Sequence, residues 1–218
     1  MKESKFKLIL CDLGNVLVNF DHRIAVRKIL PFIPLEKRSS LPGVAQKSFE
    51  EVYQLFFDSK LTKDFEEGKI TPRYFFKRLC RLIGMKNISF DRFCPIWNDI
   101  FFVNKPMAAL LGALKKRHKL HLISNINKLH YDYISGKFAS YIRLFDKCYL
   151  AYEIGACKPH VDIYRAAMSG ANAKPEECLY IDDRVDLIKE AEKLGLGSVL
   201  FKNVSGLKKQ LRKMKVPF

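Results

Sequence analysis

The stretch Lys7-Leu8-Ile9-Leu10-Cys11-Asp12-Leu13-Gly14-Asn15-Val16-Leu17 sets a compact apolar run directly against an acid, with a Gly-Asn turn signal behind it. An apolar run without alternation is the pattern of a strand buried on both faces, as in a parallel sheet. Ligands of open parallel sheets bind beyond the carboxyl ends of the strands. Asp12 therefore stands at the mouth of such a sheet, where a carboxylate has no packing role and is marked for chemistry.

Downstream of Asp12, Val16–Asp21 reads as an extended arm, and Asp21 is placed to cap a helix over Arg23–Ile29. From Pro31 to about Lys105 the pattern turns helical. Thr71-Pro72 gives a cap followed by proline at the first helical position, and Phe75, Phe76, Leu79, Leu82 and Ile83 fall on one face before Gly84. Val52, Tyr53, Phe56 and Phe57 suggest an earlier helix. Strand–helix alternation resumes with a helix from Pro106 carrying Met107, Leu110, Leu111 and Leu114. Further strands are predicted at Leu120–Ile123, Lys147–Leu150, Cys178–Ile181 and Ser198–Phe201. Helices are predicted at Val161–Ser169 and, with Val185, Ile188, Ala191 and Leu194 on one face, before Gly195. The fold class is α/β, a doubly wound parallel sheet. Residues 1–20 and 106–218 form its core, and 21–105 form a helical insertion over the mouth.

Composition narrows the function. The chain has 218 residues, 48% of them hydrophobic, which suffices for a packed core. No apolar stretch reaches the roughly 18 residues of a membrane span, and Met-Lys-Glu-Ser-Lys leads into the first strand without a signal-peptide core. These features predict a cytoplasmic protein with no membrane partner. Cys11, Cys80, Cys94, Cys148, Cys157 and Cys178 show no Cys-x-x-Cys pair and no histidine at zinc spacing, so reduced thiols are expected. The 39 Lys+Arg against 23 Asp+Glu give a net charge of +16, a field that attracts phosphorylated metabolites and other anions. These cations are spread along the chain, with a concentration at Leu207–Lys215, and no nucleic-acid-binding module accompanies them. Specific nucleic-acid binding is not expected; a backbone binder using the overall field is a remote alternative that steep salt dependence would reveal. The oligomeric state is not legible.

Three predicted strands end on polar groups: Asp12, Ser124-Asn125 and Asp182-Asp183. Carboxylates converging from two strands repel unless a hard cation lies between them, which suits Mg²⁺. Lys158, on a loop leading into a helix, supplies a point charge for a phosphoryl group and keeps Asp12 ionised. Ser124 and Asn125 can donate to phosphoryl oxygens. These are the parts of a phosphoryl-transfer site with an aspartate nucleophile. Taken alone, Asp182 or Asp183 would cap the next helix, Ser124-Asn125 would be a turn, and Lys158 a solvated lysine.

Asp12-Leu-Gly-Asn-Val, Ser124-Asn125, Lys158-Pro159 before Ile163-Tyr164, and Ile181-Asp182-Asp183 resemble, in order and spacing, the four motifs of the haloacid dehalogenase superfamily. The insertion resembles a C1-type helical cap, and Phe65-Glu-Glu-Gly68-Lys-Ile70-Thr is similar to a pattern of such caps. The Asp-Leu-Gly-Asn-Val form resembles bacterial sugar-phosphate phosphatases, including those acting on glucose 1-phosphate. The resemblance implies that Asp12 attacks phosphorus and forms an aspartyl-phosphate. It implies Mg²⁺ held by Asp12, the Gly14 carbonyl and Asp182 or Asp183, and a phosphoryl group held by Ser124, Asn125 and Lys158.

Two departures accompany it. Gly14 stands where such phosphatases carry a second acid, a loss that falls hardest on poor leaving groups and favours anomeric sugar phosphates unless Asp21 or His22 substitutes. Leu187 stands where many relatives have Asp or Asn, with Asp186 one place earlier. The expectation is an Mg²⁺-dependent phosphatase of a small phosphorylated metabolite. The alternatives are a non-catalytic protein of this fold binding a phosphorylated ligand or partner, and a 2-haloacid dehalogenase.

Overall fold

The computed structural model describes residues 4–34 and 60–218. Strand β1 (Leu8–Cys11) is wholly buried and is followed by β2 (Val18–Phe20) and α1 (His22–Ile29). Among the described residues of the insertion, three helices follow: α2 (Lys60–Glu66), α3 (Pro72–Ile83) and α4 (Phe90–Asn98). The chain then returns through β3 (Phe101–Val103), α5 (Lys105–Leu114), β4 (Lys119–Ser124), α6 (Lys128–Lys137) and α7 (Ala139–Ile142). It closes with β5 (Lys147–Leu150), α8 (Ala151–Ile154), α9 (Val161–Ser169), β6 (Cys178–Asp182), α10 (Val185–Lys193), β7 (Gly197–Leu200) and α11 (Val204–Lys213).

The main sheet has the order β5-β4-β1-β6-β7, parallel throughout, so β1 lies at its centre. Side chains alternate across a strand, and two apolar layers result. Ile9, Cys11, Leu120, Leu122, Leu179 and Ile181 join the layer that also takes in the insertion, while Leu8, Leu10, Ile123 and Tyr180 pack against α9 and α10. Sealing both faces explains why the strands carry no polar alternation.

Local signals act as the residue types require. Asp21 accepts from the Arg23 amide at the start of α1, and Thr71 accepts from the Tyr74 amide before Pro72. Gly84, at φ 71°, ends α3. Phe75, Leu79 and Ile83 are buried, whereas Leu82 sits at the edge of the stripe and is 51% exposed. Val185, expected on the inner face of α10, is also exposed, and Leu187 turns inward instead. The anticipated helix around Val52–Phe57 lies outside the described residues. Among the elements not expected are β3, which is three residues long, α4 with its internal Pro95, and the weakly amphipathic α6. The arm at Val18–Phe20 pairs antiparallel with β3, so both crossings into the insertion run through one small ribbon.

The connection between α2 and α3 seats on the main body at Gly68. Its φ is +70°, and a Cβ there would lie 2.3 Å from the Tyr152 carbonyl oxygen. Left-handed backbone and overpacking both penalise a side chain, so Gly68→Ala is expected to cost roughly 2–5 kcal/mol. The urea midpoint measures this, and an unchanged midpoint would rule out tight seating at this point.

Candidate active site

The register Leu10↔Tyr180 and Cys11↔Ile181 continues to Asp12 beside Asp182, two neighbours on the same face at the carboxyl ends of β1 and β6. Asp12 is 8% exposed and Asp182 fully buried. Neighbouring strands lie only about 4.8 Å apart, so the two carboxylates need a counter-charge. Lys158, from the segment between α8 and α9, provides it: Nζ donates to Asp12 Oδ1 at 2.6 Å and to Asp182 Oδ2 at 2.8 Å. Burial pushes the Asp12 carboxyl above its usual range, against the pull of Lys158. Burial also opposes the charge on Lys158, but Asp12 and Asp182 outweigh it and raise the ammonium.

The two acids of the Asp182-Asp183 pair differ in their commitments. Asp182 accepts from Lys158, from the Tyr180 hydroxyl and, at 2.9 Å, from the Arg184 amide, the last a cap-like bond at the start of α10. Asp183 is half-buried, lines the cavity and accepts from Asn15 Nδ2 at 3.1 Å. Asn15, a member of the Gly-Asn turn at φ 53°, was not among the expected site residues. Oxygen atoms from Asp12, Asp182 and Asp183 lie within 4.8 Å of one another, the one such group of acid, Cys or His side chains among the described residues. An all-oxygen donor set of this kind suits a hard divalent cation.

Ser124 ends β4 and lines the cavity. Asn125 also reaches it, but its amide is engaged with the main chain of Lys158: Oδ1 accepts from the Lys158 amide at 2.7 Å and Nδ2 donates to the Lys158 carbonyl at 2.9 Å. That two-point clamp holds the lysine at the acids, a task that spacing along the chain could not reveal. Asp186 turns away to Arg184, with Oδ2 2.5 Å from Nη2. Cys11 is buried with its thiol raised well above the usual value, first by burial and then by Asp12, and so is unreactive.

These groups open into a cavity of about 350 Å³ roofed by the insertion. A Cβ on Gly14 would meet Phe20 Cε1 at 3.2 Å, so the Phe20 ring crowds this position and would have to shift slightly to admit a side chain. Asp21 takes no part, since both its oxygens are on the Arg23 guanidinium. Among the described residues, the titratable groups that the insertion contributes to the cavity are His22 and Glu66, with Thr62 and Trp97 beside them. Glu66 belongs to the Phe65–Thr71 pattern, the one signal in the sequence that pointed toward it.

His130 closes the far wall, stacked on Trp97 and bonded to the Trp97 carbonyl and the Asn127 amide. Burial depresses His22 to about 4 and His130 to about 3, the latter with help from His22. Both are therefore neutral near pH 7. The unfolded chain binds protons that these native sites refuse, so their contribution is intact above pH 6.5 and is lost as pH falls toward 4. At pH 4.5 each histidine is expected to cost about 2.5 kcal/mol. Urea midpoints at pH 7 and 4.5 test this: the difference should shrink by that amount in His130→Gln and should not shrink if the site is protonated natively.

Residues 6–195 match the haloacid dehalogenase-like hydrolase family. A D-ribitol-5-phosphate phosphatase of Bacteroides thetaiotaomicron is 27% identical over 195 residues, 87% of this chain and 88% of that protein. A drimenol cyclase of Aspergillus calidoustus is 22% identical over 94% of this chain, which spans 36% of the cyclase's length. A haloacid dehalogenase family enzyme of B. thetaiotaomicron, solved with magnesium and inorganic phosphate, superposes with a TM-score of 0.71 at 26% identity, covering 90% of this chain and 94% of that one. Among the described residues no helix is long and apolar enough to cross a membrane.

Proposed function

The chain belongs to the haloacid dehalogenase-like hydrolase family, and from that premise we propose that it is an Mg²⁺-dependent phosphatase of a small phosphorylated metabolite, with Asp12 as nucleophile. The observation that carries this reading is the buried group Asp12–Lys158–Asp182 opening through Asp183 into the cavity beneath the insertion. Mg²⁺ would be held by Asp12, the Gly14 carbonyl and Asp183, with Asp182 behind them bonded to Lys158, Tyr180 and Arg184. When bound, the ion supplies charge neutralisation for a phosphoryl group approaching three carboxylates.

Asp12 attacks phosphorus, the leaving oxygen departs toward the insertion, and water later cleaves the aspartyl-phosphate. Lys158 and Ser124 hold the phosphoryl oxygens, and the Asn125 clamp fixes where the ammonium stands. Residues 21–105 act as the cap. Their His22, Glu66, Thr62 and Trp97 surround the leaving group and exclude water. With Gly14 in place of a second acid, leaving groups that need little protonation are favoured, and an anomeric sugar phosphate is of this kind. A cavity of about 350 Å³ lies at the lower end for ligand sites and suits a molecule of sugar-phosphate size.

Phosphate release should be measured over sugar 1-phosphates, terminal sugar and sugar-alcohol phosphates, and p-nitrophenyl phosphate, with Mg²⁺ or EDTA. Metal-dependent turnover highest on the 1-phosphates is expected. Equal turnover on simple alkyl phosphates would defeat the leaving-group reading, and none on any ester would defeat the enzymatic one. A second reading, a phosphorylated-ligand binder without turnover, draws on Gly14 and Leu187. Saturable binding of a 1-phosphate without hydrolysis would favour it.

A further inference from the structure

The cations that look dispersed in the sequence meet at the end of the sheet opposite the candidate active site. The amino ends of β1, β4 and β5 and the carboxyl ends of α5, α9 and α11 border a groove of about 1200 Å³. Eight Lys and Arg side chains line it against a single carboxylate, Asp146. Part of this charge has a structural use. Helix carboxyl ends carry negative partial charge, and Lys115, Lys119 and Lys147 donate to the carbonyls of Leu144, Ala171 and Gly170 at 2.7, 3.3 and 3.4 Å.

Lys116, Arg117 and Lys215 have no such use. All three are exposed and form no ion pair among the described residues. Three exposed cations without ion partners around one concavity add up to a local positive field, which attracts a polyanion.

We propose that this groove binds nucleic acid through its phosphate backbone, without regard to sequence, at a site separate from the phosphatase centre. The lining discriminates among polyanions. Its apolar members Phe6 and Val216 are 1% and 3% exposed and only Pro217 is partly exposed, too little apolar surface for insertion into a lipid surface and no exposed aromatic ring for stacking bases. Its volume far exceeds that of one phosphorylated metabolite, and its cations come from separate elements, as an extended chain of phosphates requires. Strand length puts the groove roughly 15–20 Å from Asp12, so occupancy of one end leaves the other accessible.

Fluorescence anisotropy of a labelled 20-nucleotide mixed-sequence DNA, single-stranded and duplex, tests the proposal on the full chain. About four phosphate contacts predict micromolar binding at 50 mM salt and a loss of about 100-fold by 200 mM. The triple variant Lys116→Gln, Arg117→Gln, Lys215→Gln should weaken binding at least tenfold and lower the salt slope by about 3. It should keep its p-nitrophenyl phosphate hydrolysis, which shows it is folded. A control with the same charge change on other exposed lysines, Lys77→Gln, Lys86→Gln, Lys189→Gln, should bind within about twofold of the parent.

No binding at 50 mM salt overturns the proposal. So does an equal loss in the control, which would mean that only net charge matters. Capture of phosphatidylserine vesicles with no binding of either DNA would also overturn it, in favour of a membrane surface.

Discussion

Asp12→Asn is expected to abolish Mg²⁺-dependent phosphate release, by at least about 1000-fold in kcat, while the protein stays folded. The substitution keeps the side chain's shape and removes the nucleophilic oxygen, and losses of that size accompany removal of a nucleophile from a preorganised site. Folding should not suffer. Burial and Asp182 both work against the Asp12 charge, and Lys158 retains Asp182 at 2.8 Å when that charge is gone. Steady-state phosphate release and a thermal melt, run on one preparation, decide the matter. Residual turnover above about 1% of the parent, with the same response to EDTA, would mean that another group attacks phosphorus.

Lys158→Met has the other large expected effect, and here stability moves with activity. The ammonium lies between one carboxylate that is 8% exposed and one that is fully buried. Removing one member of a buried ionic group leaves uncompensated charge and typically costs 3–5 kcal/mol; about that loss is expected at pH 7.5 without metal. The sign with pH follows. Without the lysine, the pull that opposes burial at Asp12 is gone and its carboxyl rises further above its unfolded value, so native stability is fuller at low pH and is lost as pH rises through the raised folded value. The deficit of the variant should therefore narrow on acidification toward pH 5, and saturating Mg²⁺ should narrow it at pH 7.5. Urea titrations at both pH values, with and without Mg²⁺, give the answer. A deficit independent of pH and of Mg²⁺ would reduce Lys158 to a packing residue.

Much of this architecture is visible in the chain itself. Leu8–Cys11, Lys119–Ser124 and Cys178–Asp182 are recognisable because strands covered on both faces are largely apolar, His121 being a buried exception bonded to the Ala167 carbonyl, so the polar residues that end them stand out. Asp21, Thr71-Pro72 and Gly84 mark helix boundaries because their short-range chemistry needs no tertiary partner. Elements whose stability comes from elsewhere escape notice. Strand β3 exists through its pairing with β2, and α6 is anchored by His130 against Trp97 rather than by its own periodicity. Leu82 and Val185 show the converse, apolar residues at the edge of a stripe that burial does not reach.

Local pattern thus determined the fold class, the residue types ending each central strand, and their order along the chain. It could not determine what those residues face. Only the sheet order, with β1 between β4 and β6, and the register Leu10↔Tyr180 put Asp12 and Asp182 on one face with Lys158 between them. Tertiary packing likewise put the Phe20 ring beside Gly14, turned the Asn125 amide to the Lys158 backbone, and gathered cations from Lys7 to Lys215 around one groove. The physical reason is the same in each case. Strand pairings and close approaches join residues that local pattern does not link, 33 positions apart for Asn125 and Lys158 and 146 for Asp12 and Lys158, and the free energy that selects them resides in tertiary contacts.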